Sequence, residues 1–164
     1  MQKDIALAKE LGFEGIVLGL LNPDGSIDAD RTAKLVELAY PMDVTFHRAF
    51  DRCNQPLEAL ETIIQTGCSR ILSSGQQPNA FDAKELIQQL VQQASDRIII
   101  MPGSGVRASN IQALANFTGA QELHSSARKL VPSSMDFVVD AMQESLQNSL
   151  VDSEEIQLMR QYLA

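Results

Sequence analysis

Tryptophan is absent, aromatic residues make up only 5% of the 164-residue chain, and there are just two cysteines. Two cysteines cannot build a disulfide scaffold, and the spacing of Cys53 and Cys68 matches no zinc module. Positive charge is also scarce. Thirteen Lys and Arg stand against 21 Asp and Glu, giving a formal charge of -8 and a pI near 4.7. A surface of that sign repels phosphate backbones, which argues against nucleic acid and anionic membranes as partners. No apolar run approaches the roughly 20 residues of a bilayer span, and the amphipathic stretch Met1 to Glu10 has no signal-peptide core. The expectation is a soluble, cytoplasmic protein in a reducing compartment. With 45% hydrophobic residues, the chain can fill one core but not two, so residues 1–164 are read as a single domain.

What is present is a repeat in the order of segments. Short β-rich runs begin at Gly15, Asp43, Arg70, Ile98 and Gln121, at intervals of 28, 27, 28 and 23 residues. Each interval holds one helical pattern, the period of a βα unit with a parallel crossover. Ile5, Leu7, Ala8 and Leu11 form the first helical face, closed by Gly12. Asp28 is placed to cap the second helix, which stops before Pro41. Further faces run through Leu57–Ile64, Leu86–Val91 and Ile111–Phe117. Residues 1–128 thus read as five βα units, and 129–164 as a helical tail, with helices expected near Met135–Leu146 and from Ser153.

Five such units fit either an open doubly wound sheet or part of a (β/α)8 barrel. One asymmetry favours the barrel: unusual residues follow the strand in every unit. They are Leu20 to Gly25, His47 to Asp51, Ser73 to Gly75, Pro102 to Gly105 and His124 to Arg128. A barrel gathers all those ends at one mouth.

Pro102-Gly-Ser-Gly follows a strand and precedes a helix expected from about Ala108. Gly103 and Gly105 allow the backbone N–H groups around Ser104 to point at an anion, with the helix N-terminus behind them. Ser125 and Ser126 come from the next unit. A plain tight turn would use the same glycines. His47, Arg48 and Asp51 form the densest polar cluster. Asp51 can orient the imidazole and Arg48 can grip a carboxylate or phosphate, or all three can simply brace the loop. His47 and His124 are the only histidines, and both fall at strand ends. Two imidazoles on one rim are the minimum for acid–base work or part of a metal site, but a third ligand is not evident and metal ligands stay unassigned. Cys68 reads as a small core residue, and Met101 as packing. Ser73 and Ser74 have no activating base in the sequence.

Five blocks carry a family resemblance: Gly12 to Gly25, Val44 to Asp51, Arg70 to Gly75, Met101 to Val106 and Glu122 to Arg128. In order and in register, they resemble the CutC copper homeostasis family. The resemblance implies a TIM-barrel-like fold, a cytoplasmic location and copper as the associated metal. It also implies that family chains begin with about three further βα units. This sequence starts in the helix before what would be the fourth strand, so it reads as a fragment, a truncated gene model or a shortened product that assembles with another chain. The cysteines proposed to bind copper in some relatives belong to the part not seen here and are not carried over.

A five-strand arc leaves two open edges and an uncovered inner face, so self-association into a homo-oligomer is expected. Three readings of function remain open. In the first, a rim of His47, Arg48, Ser73, Ser74, Gly103, Ser104, Gly105, His124, Ser125 and Ser126 binds a small anion. In the second, the same rim is an active site for a phosphorylated or carboxylated metabolite, with His47 or His124 as acid or base and Asp51 in support. The third is a non-catalytic metal handler.

Overall fold

The computed structural model describes residues 1–163. Four short strands form one parallel sheet: β1 (Gly15–Leu18), β2 (Asp43–Phe46), β3 (Arg70–Ser73) and β4 (Ile99–Pro102), in sequential order. Helices α1 (Gln2–Glu10), α2 (Ala29–Ala39), α3 (Pro56–Thr66), α4 (Lys84–Ala94) and α5 (Ile111–Thr118) alternate with them. Each helix packs on the next in sequence. Strand order 1-2-3-4 with consecutive neighbouring helices is an arc of a barrel. A doubly wound sheet would reverse its order at a switch point.

The strand register explains which face is covered. Leu18, Phe46, Ile71 and Ile100 lie side by side across the sheet, and all four are buried against the helices. Burying each contributes about 1.5–3 kcal/mol. The neighbouring row is Val17, Thr45, Arg70 and Ile99, which points to the opposite face because strand side chains alternate. There Val17 is 65% exposed. The helix-facing side is completed by Phe50, Leu60, Ile63, Ile87, Leu90 and Leu114, all fully buried. Asp28 caps α2 as its sequence predicts, accepting from the Arg31 backbone N–H at 3.0 Å.

Three expectations are corrected. The run from Gln121 to Ser125 forms no strand; it touches β4 through one parallel bridge, Gly103 to His124, with the His124 N–H donating to Pro102 at 2.8 Å. A two-pronged ion pair from Arg70 to Glu122, at 2.5 and 2.9 Å, ties the same run to β3. Next, the tail is not helical throughout. Arg128–Pro132 (β5) and Gln147–Val151 (β6) make an antiparallel hairpin, and only Ser153–Leu163 (α6) is a helix, packed on α5. The helix expected over Met135–Leu146 is replaced by the hairpin's connection and one 3-10 turn, Asp140–Met142. Last, α5 begins at Ile111 rather than Ala108. Among the described residues, no helix is long and apolar enough to cross a membrane.

Candidate anion site at the strand ends

Strands β1 to β4 run parallel, so the segments after them share one rim. The chain leaves β2 at His47 and turns at once into a 3-10 turn, Arg48–Arg52. The His47 ring starts that turn: its Nδ1 accepts the Ala49 N–H at 3.1 Å. A neutral ring held this way carries its proton on Nε2. The space for the ring is supplied by Gly19, one residue past β1, where an added Cβ would fall 2.6 Å from Nδ1.

Asp51, at the far end of the turn, does not orient His47. Its Oδ1 accepts from the Ser73 hydroxyl at 2.6 Å and from the Ser74 N–H at 2.9 Å. Its Oδ2 accepts from Arg48 Nε at 2.6 Å and from the Ser74 hydroxyl at 3.0 Å. Burial opposes the charge on Asp51, but the bonds from Ser73, Arg48 and Ser74 outweigh it and hold the carboxyl below the usual carboxylate range. Ser73 and Ser74 are fully buried, and their hydroxyls are engaged with Asp51. Arg48 reaches across with Nη2 to Ser74 Oγ at 2.7 Å. Together these bonds clamp the turn after β2 onto the end of β3.

Two cavities adjoin at this rim. The larger, about 820 Å³, is lined by His47, Arg48, Asp51, Leu21, Leu72 and Gln77, among others. The smaller, about 280 Å³, is lined by Arg48, Arg107, Arg128, His124 and the Ser104–Val106 and Ser125–Ser126 segments. Arg48 and Leu72 belong to both. His47 and His124 therefore stand on the same rim, in neighbouring cavities.

The smaller cavity concentrates positive charge on a protein of net charge -8. Three arginines line it and no carboxylate does. Ser104 and Gly105 both have positive φ, +85° and +69°. Among the described residues, the N–H groups of Ser104, Gly105 and Val106 donate to no backbone carbonyl. The Gly103 N–H, in contrast, is committed to Ser73 at 2.9 Å. Ser104 Oγ donates to Pro78 and Ser125 Oγ to Val106, each at 2.7 Å, so these hydroxyls shape the loops. Ser126 is exposed. In the turn between the glycine loop and α5, the Ala108 N–H is already taken: it donates to Glu155 of α6 at 2.8 Å.

The CutC family model matches residues 1–129. The chain belongs to the CutC family. A CutC protein of Parabacteroides distasonis is 51% identical over 137 residues, covering 84% of this chain and 56% of that protein. One from Glaesserella parasuis is 46% identical over 153 residues, covering 93% and 63% respectively. The chain thus spans about half to two thirds of the length of the curated CutC proteins it matches. A solved CutC structure from Streptococcus agalactiae, whose name assigns that protein to copper homeostasis, superposes with a TM-score of 0.71 at 31% identity, over 75% of this chain and 60% of that one. The fold is accordingly TIM-barrel-like. The CutC match takes in Arg48, Arg107, His124 and Arg128, while Glu155 lies beyond it.

Copper would need soft donors gathered in one place. Cys53 follows the 3-10 turn at the rim, whereas Cys68 precedes β3 at the other end of the sheet, and both are buried. Burial pushes both thiols above the ordinary thiol range. His47 has already engaged Nδ1. Among the described residues, no three His, Cys, Asp or Glu side chains are placed to hold a metal ion. These donors do not fit a copper centre.

Sequence reading missed Gly19, Arg107, Arg128 and Glu155. Arg107 and Arg128 each close a strand-end segment, which is a usable signal. Gly19 shows its role only once His47 is placed across from it, and Glu155 arrives from 47 residues away.

Proposed function

We propose that this CutC-family chain binds a small anionic ligand at the rim of its barrel arc. The observation that carries the reading is the arginine-lined cavity, with Arg48, Arg107 and Arg128 and no carboxylate in its wall. Guanidinium groups are suited to two-pronged contacts with carboxylate or phosphate oxygens, and the Ser104–Val106 amides add donors that carry no net charge. A link to copper homeostasis rests on the name of the Streptococcus agalactiae relative. No metal step is derived for these residues. A cytoplasmic location is part of the proposal and fits two free thiols.

A second reading makes the rim an active site. It is favoured by His47, whose ring is fixed at Nδ1 and lines the larger cavity next to the anion pocket. In that reading His124 supplies or receives a proton on a bound metabolite, while His47, with Nδ1 engaged, donates from Nε2 to position it.

The test is thermal melting in rising inorganic phosphate at constant ionic strength. A ligand that binds only the folded state raises the melting temperature with concentration. The rise is expected in wild type and is expected to vanish in Arg107→Gln/Arg128→Gln. Equal melting in phosphate and chloride would remove the proposal.

A further inference from the structure

We infer that the rim selects a phosphomonoester, with its phosphate among Arg107, Arg128 and the Ser104–Val106 amides and its organic body lying across Leu72 toward His47. This rests on the anion-binding reading above and adds the ligand class to it.

Charge balance supplies the first argument. Arg48 is compensated by Asp51, 2.6 Å away. The other arginines in ion pairs are Arg31, Arg70 and Arg97, so among the described residues the guanidinium groups of Arg107 and Arg128 are unpaired. Two uncompensated positive charges match an anion of nearly two charges. A phosphomonoester carries about -1.5 to -2 at neutral pH, and a carboxylate carries only one. The donor set agrees in number, because two planar guanidinium forks and three amides with no backbone partner suit a tetrahedral group with several equivalent oxygens.

The second argument is the shared wall of the two cavities. The anion pocket is small, and it shares Arg48 and Leu72 as wall with a space of about 820 Å³. Bare phosphate would leave that space unused. Its wall mixes the apolar Leu21, Leu72 and Pro78 with the polar His47 and Gln77 and the charged Arg48, Asp51 and Arg52, and its apolar part suits the body of a small organic molecule. His47 presents an Nε2–H donor because Nδ1 is engaged by Ala49. The matching group on the body is an oxygen acceptor, a hydroxyl or a carbonyl. The class is therefore a phosphorylated small hydroxy or carbonyl compound.

The full chain is titrated with four probes, inorganic phosphate, glycerol 3-phosphate, glycerol and acetate, followed by NMR of the backbone amides and the imidazole of His47. Both phosphates are expected to shift the Ser104–Val106 amides, and glycerol 3-phosphate alone to shift the His47 ring. Glycerol 3-phosphate is expected to bind about tenfold tighter than inorganic phosphate, and acetate at least about tenfold weaker than either. Arg128→Gln, at an exposed position that tolerates change, should weaken both phosphates by about tenfold. His47→Gln should bring glycerol 3-phosphate down to the level of inorganic phosphate. If acetate matches phosphate, or the glycerol body adds nothing, the ligand class is wrong while anion binding stands. If no probe moves the Ser104–Val106 amides, anion binding at this rim falls too.

Discussion

Gly19 and His47 fit together only because one of them has no side chain. A Cβ on Gly19 would stand 2.6 Å from His47 Nδ1 and 2.7 Å from Cε1, with the Phe46 ring at 3.2 Å. Phe46 is fully buried and cannot yield. Gly19→Ala therefore has to move the imidazole and break its bond to the Ala49 N–H. The expected loss is about 1–3 kcal/mol, the usual range for overpacking. Urea unfolding measures that loss. An NMR spectrum of the ring nitrogens, showing Nδ1 no longer accepting a hydrogen bond, identifies its cause.

Asp51 makes the chain sensitive to acid in a defined direction. Its carboxyl is held below the ordinary value of about 3.9 in the fold. A group depressed in this way contributes stability that is fully present above the unfolded value and is lost as pH falls through the folded one. The urea midpoint should hold steady from neutral pH to about 5 and fall below about 4. Glu61, held down to about 2 by hydrogen bonds from Arg97 and Gln93, adds to the same fall. The comparison with Asp51→Asn separates the two. That variant turns an amide NH2 toward the Ser73, Ser74 and Arg48 donors and should lose about 2–4 kcal/mol at pH 7. Its stability should also depend less on pH. A D51N curve parallel to wild type would show that the clamp contributes no acid sensitivity.

The four-strand arc was legible because the parallel repeat writes itself as an interval: the runs at Gly15, Asp43, Arg70 and Ile98 became strands within a residue of where they were expected. The fifth run failed for a reason outside its own letters. Gln121 to Ser125 meets the sheet at Gly103, past the end of β4, and is held there by the His124 bridge and the Glu122 pair in place of a strand ladder. The tail misled differently. Val138 and Val139 interrupt a helical pattern, and the hairpin pairs Leu130 with Ser149, a partner 19 residues on that no local periodicity announces. At the site, the spacing in the sequence brought His47, Arg48 and Asp51 together, but which of them bond to each other was decided by β3, through Ser73 and Ser74.

The tail also holds the rim. Glu155 accepts the N–H of Ala108, a residue only 9% exposed that directly follows Arg107. Glu155→Ala leaves that donor without a partner, which costs about 1–3 kcal/mol. Native-state hydrogen exchange should show the Ala108 amide opening about tenfold faster or more, with α1 to α3 unchanged. Exchange that rises evenly over the whole chain would mean that Glu155 supports global stability and has no local hold on the loop bearing Arg107.

The uncovered face of the sheet should drive association. Val17 sits mid-strand in β1, the edge of the sheet, and is 65% exposed, with Phe13 beside it at 59%. An edge strand offers unpaired N–H and C=O groups, and exposed apolar side chains next to it add a hydrophobic gain on contact. Nothing charged interrupts Gly15–Leu18. Inward-pointing charge is a common device for keeping such edges apart, so Val17→Lys should weaken association while leaving the buried row Leu18, Phe46, Ile71 and Ile100 intact. Sedimentation of the chain over a range of concentrations is expected to show dimers or larger species that shift toward monomer in Val17→Lys. A wild-type chain that sediments as a monomer at every concentration and melts cooperatively would mean that this edge is tolerated in water without a partner.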